Sequence, residues 1–447
     1  MTNMIGRQAV VIGAGIGGLC AARALSAAFE QVIVLERDGP PDAAAPRAGA
    51  PQGHHPHMLM AGGLRAMTDL APDLPAALER AGARRVRVGC DVVIETPDWG
   101  AIPPRDLDFL SYAASRPVLE AVIYGEMPRG RRIEIRHHAR VTDILVAEDR
   151  ARVIGVTCED AAGSVVTIPA SLVVDASAGG VLLERCLETC GLPPPPTLSI
   201  GVDVGYATGV FRLPPDLDFE TLVTYPRPPQ TLRNGMMMRL GASEWQVLMA
   251  GRGPHRPPSD LPGFLAFAQT LNTPSISDLL RRATPPDSLA RYRFPASTWR
   301  RFGPEALPQG LLPLGDSVCR FNPVYAQGMT VAAMEAALLA HTLRRHAGAP
   351  DAVARVGRDY LAGVNQLVGE AWTLSTSADF TFPTTTGRPP ANLTAVLAAQ
   401  HAALEGAVRS ERAHRAFLER LTLMTFDWRT AGEAAAAPPA SEPEAVR

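Results

Sequence analysis

The sequence predicts an α/β protein: a Rossmann-like nucleotide-binding domain, interrupted by an inserted antiparallel β-sheet (an α+β insert) and completed by a helical C-terminus. Three observations predict it. A strand, glycine turn, helix and strand open the chain; a second strand with a glycine turn recurs near residue 315; proline-rich β-type segments lie between them. At 447 residues the chain exceeds one small core. We read residues 1–182 and 290–346 as the discontinuous nucleotide domain and 183–289 as the insert. Residues 347–430 form the helical region and 431–447 a disordered tail.

Each element follows in order. QAVVI (8–12) is a short apolar run ending in Gly13, a helix-like segment continues to about Phe29, and Gln31–Leu35 is a second apolar run ending at Glu36. Gly13, Gly15 and Gly18 satisfy GxGxxG between strand and helix, where glycine permits the tight turn and lets backbone amides approach a pyrophosphate. A carboxylate at the position of Glu36 accepts hydrogen bonds from a ribose diol. The pattern alone does not choose FAD over NAD. Helical periodicity follows at 61–83 and 117–127, and short strand-like runs near 132–136, 141–146 and 152–157; SLVVD (171–175) reads as a buried parallel strand. Within the insert, Ile200–Thr208, Met236–Leu240 and Trp245–Ala250 read as strands separated by PPPP (193–196) and YPRPPQ (225–230). LLPLGD (311–316) returns to the first pattern and leads to a long helix over Gln327–Arg345. The low-complexity AGEAAAAPPASEPEAVR closes the chain.

The second glycine element selects the cofactor. Gly315 and Asp316 follow a strand, and PVYAQGM (323–329) opens the next helix. Two nucleotide-binding elements so far apart suit a long, extended dinucleotide touched at both ends, which is FAD. Asp316 would accept from ribityl hydroxyls. Amides around Gly328 and Met329 would face the flavin N1 and C2 carbonyl, where negative charge gathers on reduction.

Composition excludes other classes. A formal net charge of -2 gives no reason to expect nucleic acid. No apolar run reaches about 18 residues, the length of a membrane span. The N-terminus carries no secretory pattern, so a cytoplasmic protein is expected. All 43 basic residues are arginine. Without lysine, neither a Schiff-base enzyme nor a Walker-type phosphate loop can be built. The scattered cysteines read as small buried hydrophobes, with Cys186 and Cys190 on one helix face.

At these motifs the chain resembles the FAD-dependent monooxygenases with the para-hydroxybenzoate hydroxylase fold. The resemblance rests on 10–38, RAGAPQG (47–53), SRPVLE (115–120), LVVDASAGG (172–180) and 311–343. It implies that Gly13, Gly15 and Gly18 hold the pyrophosphate and that Glu36, with Arg37 beside it, meets the adenosine ribose. It further implies that Arg47 and Arg116 reach the cofactor, that Val141 meets adenine, and that Asp316, Pro323, Gly328 and Met329 surround the flavin. Gly315 turns the chain into that site. Asp175 belongs to the middle motif, where Ala178 stands in place of the family's glycine. That departure leaves the electron source open: NADPH or NADH binding directly, or a separate flavin reductase. RAGAPQGHHPHMLMAGG (47–63) and SADFTFPTTTGRPP (377–390) are also similar to the flavin epoxidases of polyether antibiotic biosynthesis.

His54, His55 and His57 lack a fourth ligand and metal-ligand spacing, so no metal is expected. They read either as rings satisfied by backbone carbonyls or as a proton relay or substrate contact, on a loop or helix start. Met236, Met238, Tyr325, Trp372, Phe380 and Phe382 are candidate pocket residues, with core packing as the competing reading. The resemblance implies oxygen insertion through a flavin C4a-(hydro)peroxide, with O2 and a hydrophobic polyketide or terpenoid intermediate as substrates. A phenol hydroxylase, a flavin dehydrogenase, a non-redox cyclase with structural FAD and an inactive binding protein remain alternatives. A flavin halogenase is disfavoured, because that chemistry relies on a lysine.

Overall fold

A computed structural model describes residues 4–47 and 49–431. Its central layer is a five-stranded parallel sheet in the order Leu311–Pro313, Leu172–Asp175, Gly6–Ile12, Phe29–Leu35, Ile133–Arg136. The middle strands are almost continuously apolar because the parallel sheet is buried on both faces, with strand Val153–Glu159 of a separate three-stranded sheet also packing on Leu172–Asp175. Val10, Val11, Val173 and Val174 are fully buried. Helix Ile16–Leu25 packs against helix Gly328–His346, and the alanine-rich sequence of the latter allows close approach.

The second layer is an eight-stranded sheet, with Thr197–Arg212 paired to Ala290–Arg300 on one side and Glu244–Arg252 on the other. Arg233–Arg239 and Thr221–Thr224 continue it. The antiparallel insert is therefore present, but its sheet is larger than 183–289. It takes in Ala290–Arg300 and Cys319–Arg320, and Val92–Thr96 pairs in parallel with Thr221–Thr224. One face packs Phe211, Trp245, Val247 and Met249 on helices Leu261–Ala268 and Ser275–Leu280. Strict alternation places Tyr206, Thr208, Leu248, Arg252 and Met236 on the opposite face.

The C-terminal region is helical, with Ala352–Asp379, Leu393–Arg409 and Glu411–Leu421. Two expectations need correction. His57 lies in a short strand, His57–Leu59, paired with Leu110–Ala114, and not on a loop or helix start. Ala431, placed in the tail, is buried in the main core; 432–447 lie outside the described residues. Among the described residues, no helix is long and apolar enough to cross a membrane.

Candidate functional site

The site begins where strand Gly6–Ile12 turns into helix Ile16–Leu25. Gly13 takes φ 97°, a left-handed conformation that favours glycine. A Cβ on Gly18 would sit 1.9 Å from the Gly13 carbonyl, so that position is closed to side chains. A Cβ on Gly15 would meet nothing within 4 Å, and the following helix has no side-chain N-cap. Its first amides thus face open space, the arrangement that receives a phosphate.

Glu36 ends the neighbouring strand and is buried. Its carboxylate accepts from the Ala14 amide (2.7 Å) and the Asp38 amide (3.0 Å), tying the strand end to the glycine turn. Arg47 reaches it at 3.4 Å and binds Glu120 at 2.8 Å, while Arg116 holds the other Glu120 oxygen at 2.8 Å. Burial alone would raise the Glu120 carboxyl; Arg116 and Arg47 outweigh it and hold the group below its ordinary value. The chain Glu36–Arg47–Glu120–Arg116 joins three of the expected residues through a carboxylate the motif search passed over. Ala139 donates to the Glu36 carbonyl, which brings Val141 to the same edge, whereas Arg37 is exposed.

The second glycine turn lies close by. A Cβ on Gly17 would touch Leu314 and Ala332, and one on Gly315 would approach Ala332. Gly315 (φ 68°) donates its amide to buried Glu335 at 2.6 Å. Asp316 follows with 53% of its side chain exposed. The protein nevertheless surrounds that carboxyl closely enough for desolvation to raise it above its ordinary value, against Arg320, Arg116 and Arg300. Helix Gly328–His346 also lacks a side-chain cap, and a Cβ on Gly328 would meet nothing within 4 Å. Pro323 is exposed and Met329 half-buried beside it. Asp175 differs from these residues. It is fully buried and its Oδ1 accepts from the Ser177 amide and hydroxyl, while its main-chain carbonyl anchors Leu314 and Ser317. It braces the two turns from beneath.

The histidines divide. His54 is exposed and lines a cleft of about 580 Å3 with Pro46, Arg47 and Leu289–Arg291. His55 is buried against the stacked rings of Tyr206 and Tyr292, each 5.8 Å away, with Nδ1 2.8 Å from the Thr208 hydroxyl. His57 Nδ1 lies 2.8 Å from the His55 carbonyl, so that nitrogen carries the proton. Burial, then His54, lowers His55 to about 4; burial, then Arg116, lowers His57 to about 3. Both rings are neutral at pH 7. Among the described residues, no three His, Cys, Asp or Glu side chains group as metal ligands.

The candidate pocket residues do not gather at one place. Met238 is fully buried against Val86 and Ala113, with Met236 partly buried beside it. Trp372 packs on Trp299 in the main core. Tyr325 and Phe382 instead converge on a buried ion pair, Arg252–Asp379, with Phe380 half-buried next to it. Sequence reading assigned neither Arg252 nor Asp379 a role. The available signal was a charged residue ending the apolar strand EWQVLMAGR, and the aspartate within SADFTFP.

No family model matches the chain. It is 32% identical over 407 residues to Protein Rv3254 of Mycobacterium tuberculosis, covering 87% of this chain and 84% of that protein. Solved structures with a similar fold include the flavin-dependent brominase Bmp2, with TM-score 0.66 and 14% identity over 97% of this chain and 98% of that one. The myxobacterial chondrochloren halogenase CndH matches with TM-score 0.63 and 16% identity, over 94% and 97% of the chains. PqsL of Pseudomonas aeruginosa, described as a probable FAD-dependent monooxygenase, gives 0.58 and 16%, over 84% and 97%. The fold is the one shared by flavin-dependent halogenases and monooxygenases.

Proposed function

The chain belongs to the family of Protein Rv3254 of Mycobacterium tuberculosis, and we propose that it is an FAD-dependent monooxygenase that epoxidises or hydroxylates a hydrophobic small molecule. One observation carries the reading. Two uncapped helix N-termini, at Gly15 and Gly328, leave open space beside the same packed helix pair, and Asp316 keeps an exposed carboxyl after the second glycine turn. That arrangement fits a dinucleotide with its pyrophosphate at Gly13–Gly18, its ribose near Glu36 and its flavin at Pro323–Met329. Bound flavin supplies the activation of O2 when reduced by NADPH or NADH, directly or through a separate reductase.

The chain's own residues do the remaining work. Amides at Gly328 and Met329 would donate to the flavin edge that gains charge. Arg47 and Arg116, balanced by Glu36 and Glu120, would lie beside it without an unpaired buried charge. The flavin-side face of the eight-stranded sheet offers Leu248, Met236, Tyr206 and Tyr292, a largely apolar surface that orients substrate and excludes water. Neutral His55 packs against the two stacked tyrosines on that face and can donate or accept one hydrogen bond. The similarity of residues 47–63 and 377–390 to polyether epoxidases supports a polyketide or terpenoid substrate.

Two neighbours in fold are halogenases, so halide transfer is the second reading. The absence of lysine speaks against it. Purified protein distinguishes them. Reductant oxidation and O2 uptake that rise with an added polyene substrate, without halide, support oxygenation. Strict dependence on chloride or bromide supports the halogenase. Product formation unchanged by removing O2 and reductant would sink both in favour of a cyclase.

A further inference from the structure

The helical C-terminus, the inserted sheet and the loop before helix Gly328–His346 meet at one carboxylate. Asp379 is the last residue of helix Ala352–Asp379 and is fully buried. Its Oδ1 accepts hydrogen bonds from Arg252 Nη2 at 2.5 Å, the Tyr325 hydroxyl at 2.8 Å and Asn322 Nδ2 at 2.9 Å. Arg252 ends strand Glu244–Arg252 on the same sheet face as Leu248, and Phe382 stacks on its guanidinium at 3.6 Å. Asn322 uses its other end as well: its Oδ1 accepts from the Val324 amide at 3.2 Å and the Tyr206 hydroxyl at 3.4 Å. Loop residues 322 and 325 are therefore both pinned, just before the turn where Ala326 takes φ 53°.

A buried ion pair is a poor way to gain stability, because desolvating two charges offsets most of their attraction. Nor does Asp379 serve to end its helix: the Phe380 amide does that through the Thr376 carbonyl. The three donors come from two separate parts of the chain, the end of a sheet strand and the stretch leading into the uncapped helix N-terminus, which supplies two of them. We propose that Asp379 is a positioning residue that, through Tyr325, Asn322 and Arg252, clamps the flavin-side loop 322–327 to the substrate-side sheet. The clamp fixes the distance between the Gly328 and Met329 amides and that sheet. Transfer between cofactor and substrate is sensitive to misplacements of about 1 Å, so rigidity here has a chemical use. The inference rests on the FAD site proposed above.

The test compares the full chain with Asp379→Asn, which keeps the shape and removes the charge, and with Tyr325→Phe, which removes one hydroxyl. Hydrogen exchange of peptides covering 320–330 is followed with and without FAD, together with the FAD dissociation constant and the visible band of bound flavin. Asp379→Asn should speed exchange of the loop in both forms, weaken FAD about tenfold, the worth of one charge-assisted hydrogen bond, and shift the band. Tyr325→Phe should act in the same direction by roughly threefold, since Asn322 and Arg252 stay on the carboxylate. Wild-type exchange, affinity and band in a folded Asp379→Asn would overturn the proposal. Should that variant not fold, Tyr325→Phe, whose ring keeps its packing, decides by the same readouts. A wild-type chain that binds no FAD defeats the proposed function, and exchange in the FAD-free protein still decides the clamp.

Discussion

Replacing Gly15 by alanine separates the fold from its cofactor in one substitution. Gly15 has φ -68° and ψ 174°, extended backbone open to any residue, and its Cβ would meet no protein atom within 4 Å. The folded protein therefore gives up nothing. A less flexible unfolded chain should favour Gly15→Ala by about 0.4–1 kcal/mol. The methyl group instead occupies the space through which a pyrophosphate reaches the Ile16–Leu25 helix amides. Loss of one charge-assisted hydrogen bond, about 1.5–3 kcal/mol, weakens FAD roughly ten- to a hundredfold. Thermal unfolding of FAD-free protein and an FAD titration read the two effects separately. An unchanged or slightly higher melting temperature with much weaker FAD is the expected pair. Wild-type affinity, or a clear fall in FAD-free stability, would refute the reasoning that this open space belongs to the cofactor.

Gly18→Ala should behave oppositely, because its Cβ lies 1.9 Å from the Gly13 carbonyl. A loss of about 1–3 kcal/mol in FAD-free denaturation is expected, and an unaltered denaturation midpoint would count against the turn geometry. Glu335 is held protonated up to about 8 by burial, against an ordinary 4.5, with the Gly315 amide opposing the shift. The folded chain keeps a proton that the unfolded chain has released, so this group costs stability as pH rises through that window. Glu335→Gln should flatten the FAD-free stability profile there; an identical slope in both proteins would contradict the assignment. Asp316→Asn should weaken FAD without lowering FAD-free stability above the ordinary carboxylate range, since desolvation already disfavours the Asp316 charge. A destabilised FAD-free variant would show that this carboxylate serves the fold instead.

The parallel sheet could be read from sequence because each of its central strands is a short apolar run ending at a glycine turn or an acid. Local pattern and tertiary position agree there. The glycine turns at Gly13–Gly18 and Gly315, and the strand end at Glu36, were legible for the same reason: each is marked by adjacent residues. What escaped was non-local. Val92–Thr96 looks like any other short strand, and only its parallel pairing with Thr221–Thr224 makes it part of the large sheet. Helices Leu261–Ala268 and Ser275–Leu280 hid among prolines, although they cover one face of that sheet. His57 was misplaced because a three-residue strand has too little periodicity to register. The partners Arg252 and Asp379 stand 127 residues apart. No spacing rule brings them together, and the aspartate could be quoted as part of a motif without revealing its role.

The central claim is that Gly15, Glu36, Asp316 and the Gly328 amides surround one dinucleotide. It is tested most directly by titrating the purified full chain with FAD and recording visible absorption and stoichiometry after gel filtration. A yellow protein with one FAD per chain is expected, with weaker FAD retention in Gly15→Ala without unfolding. A folded chain that emerges colourless at saturating FAD would contradict it.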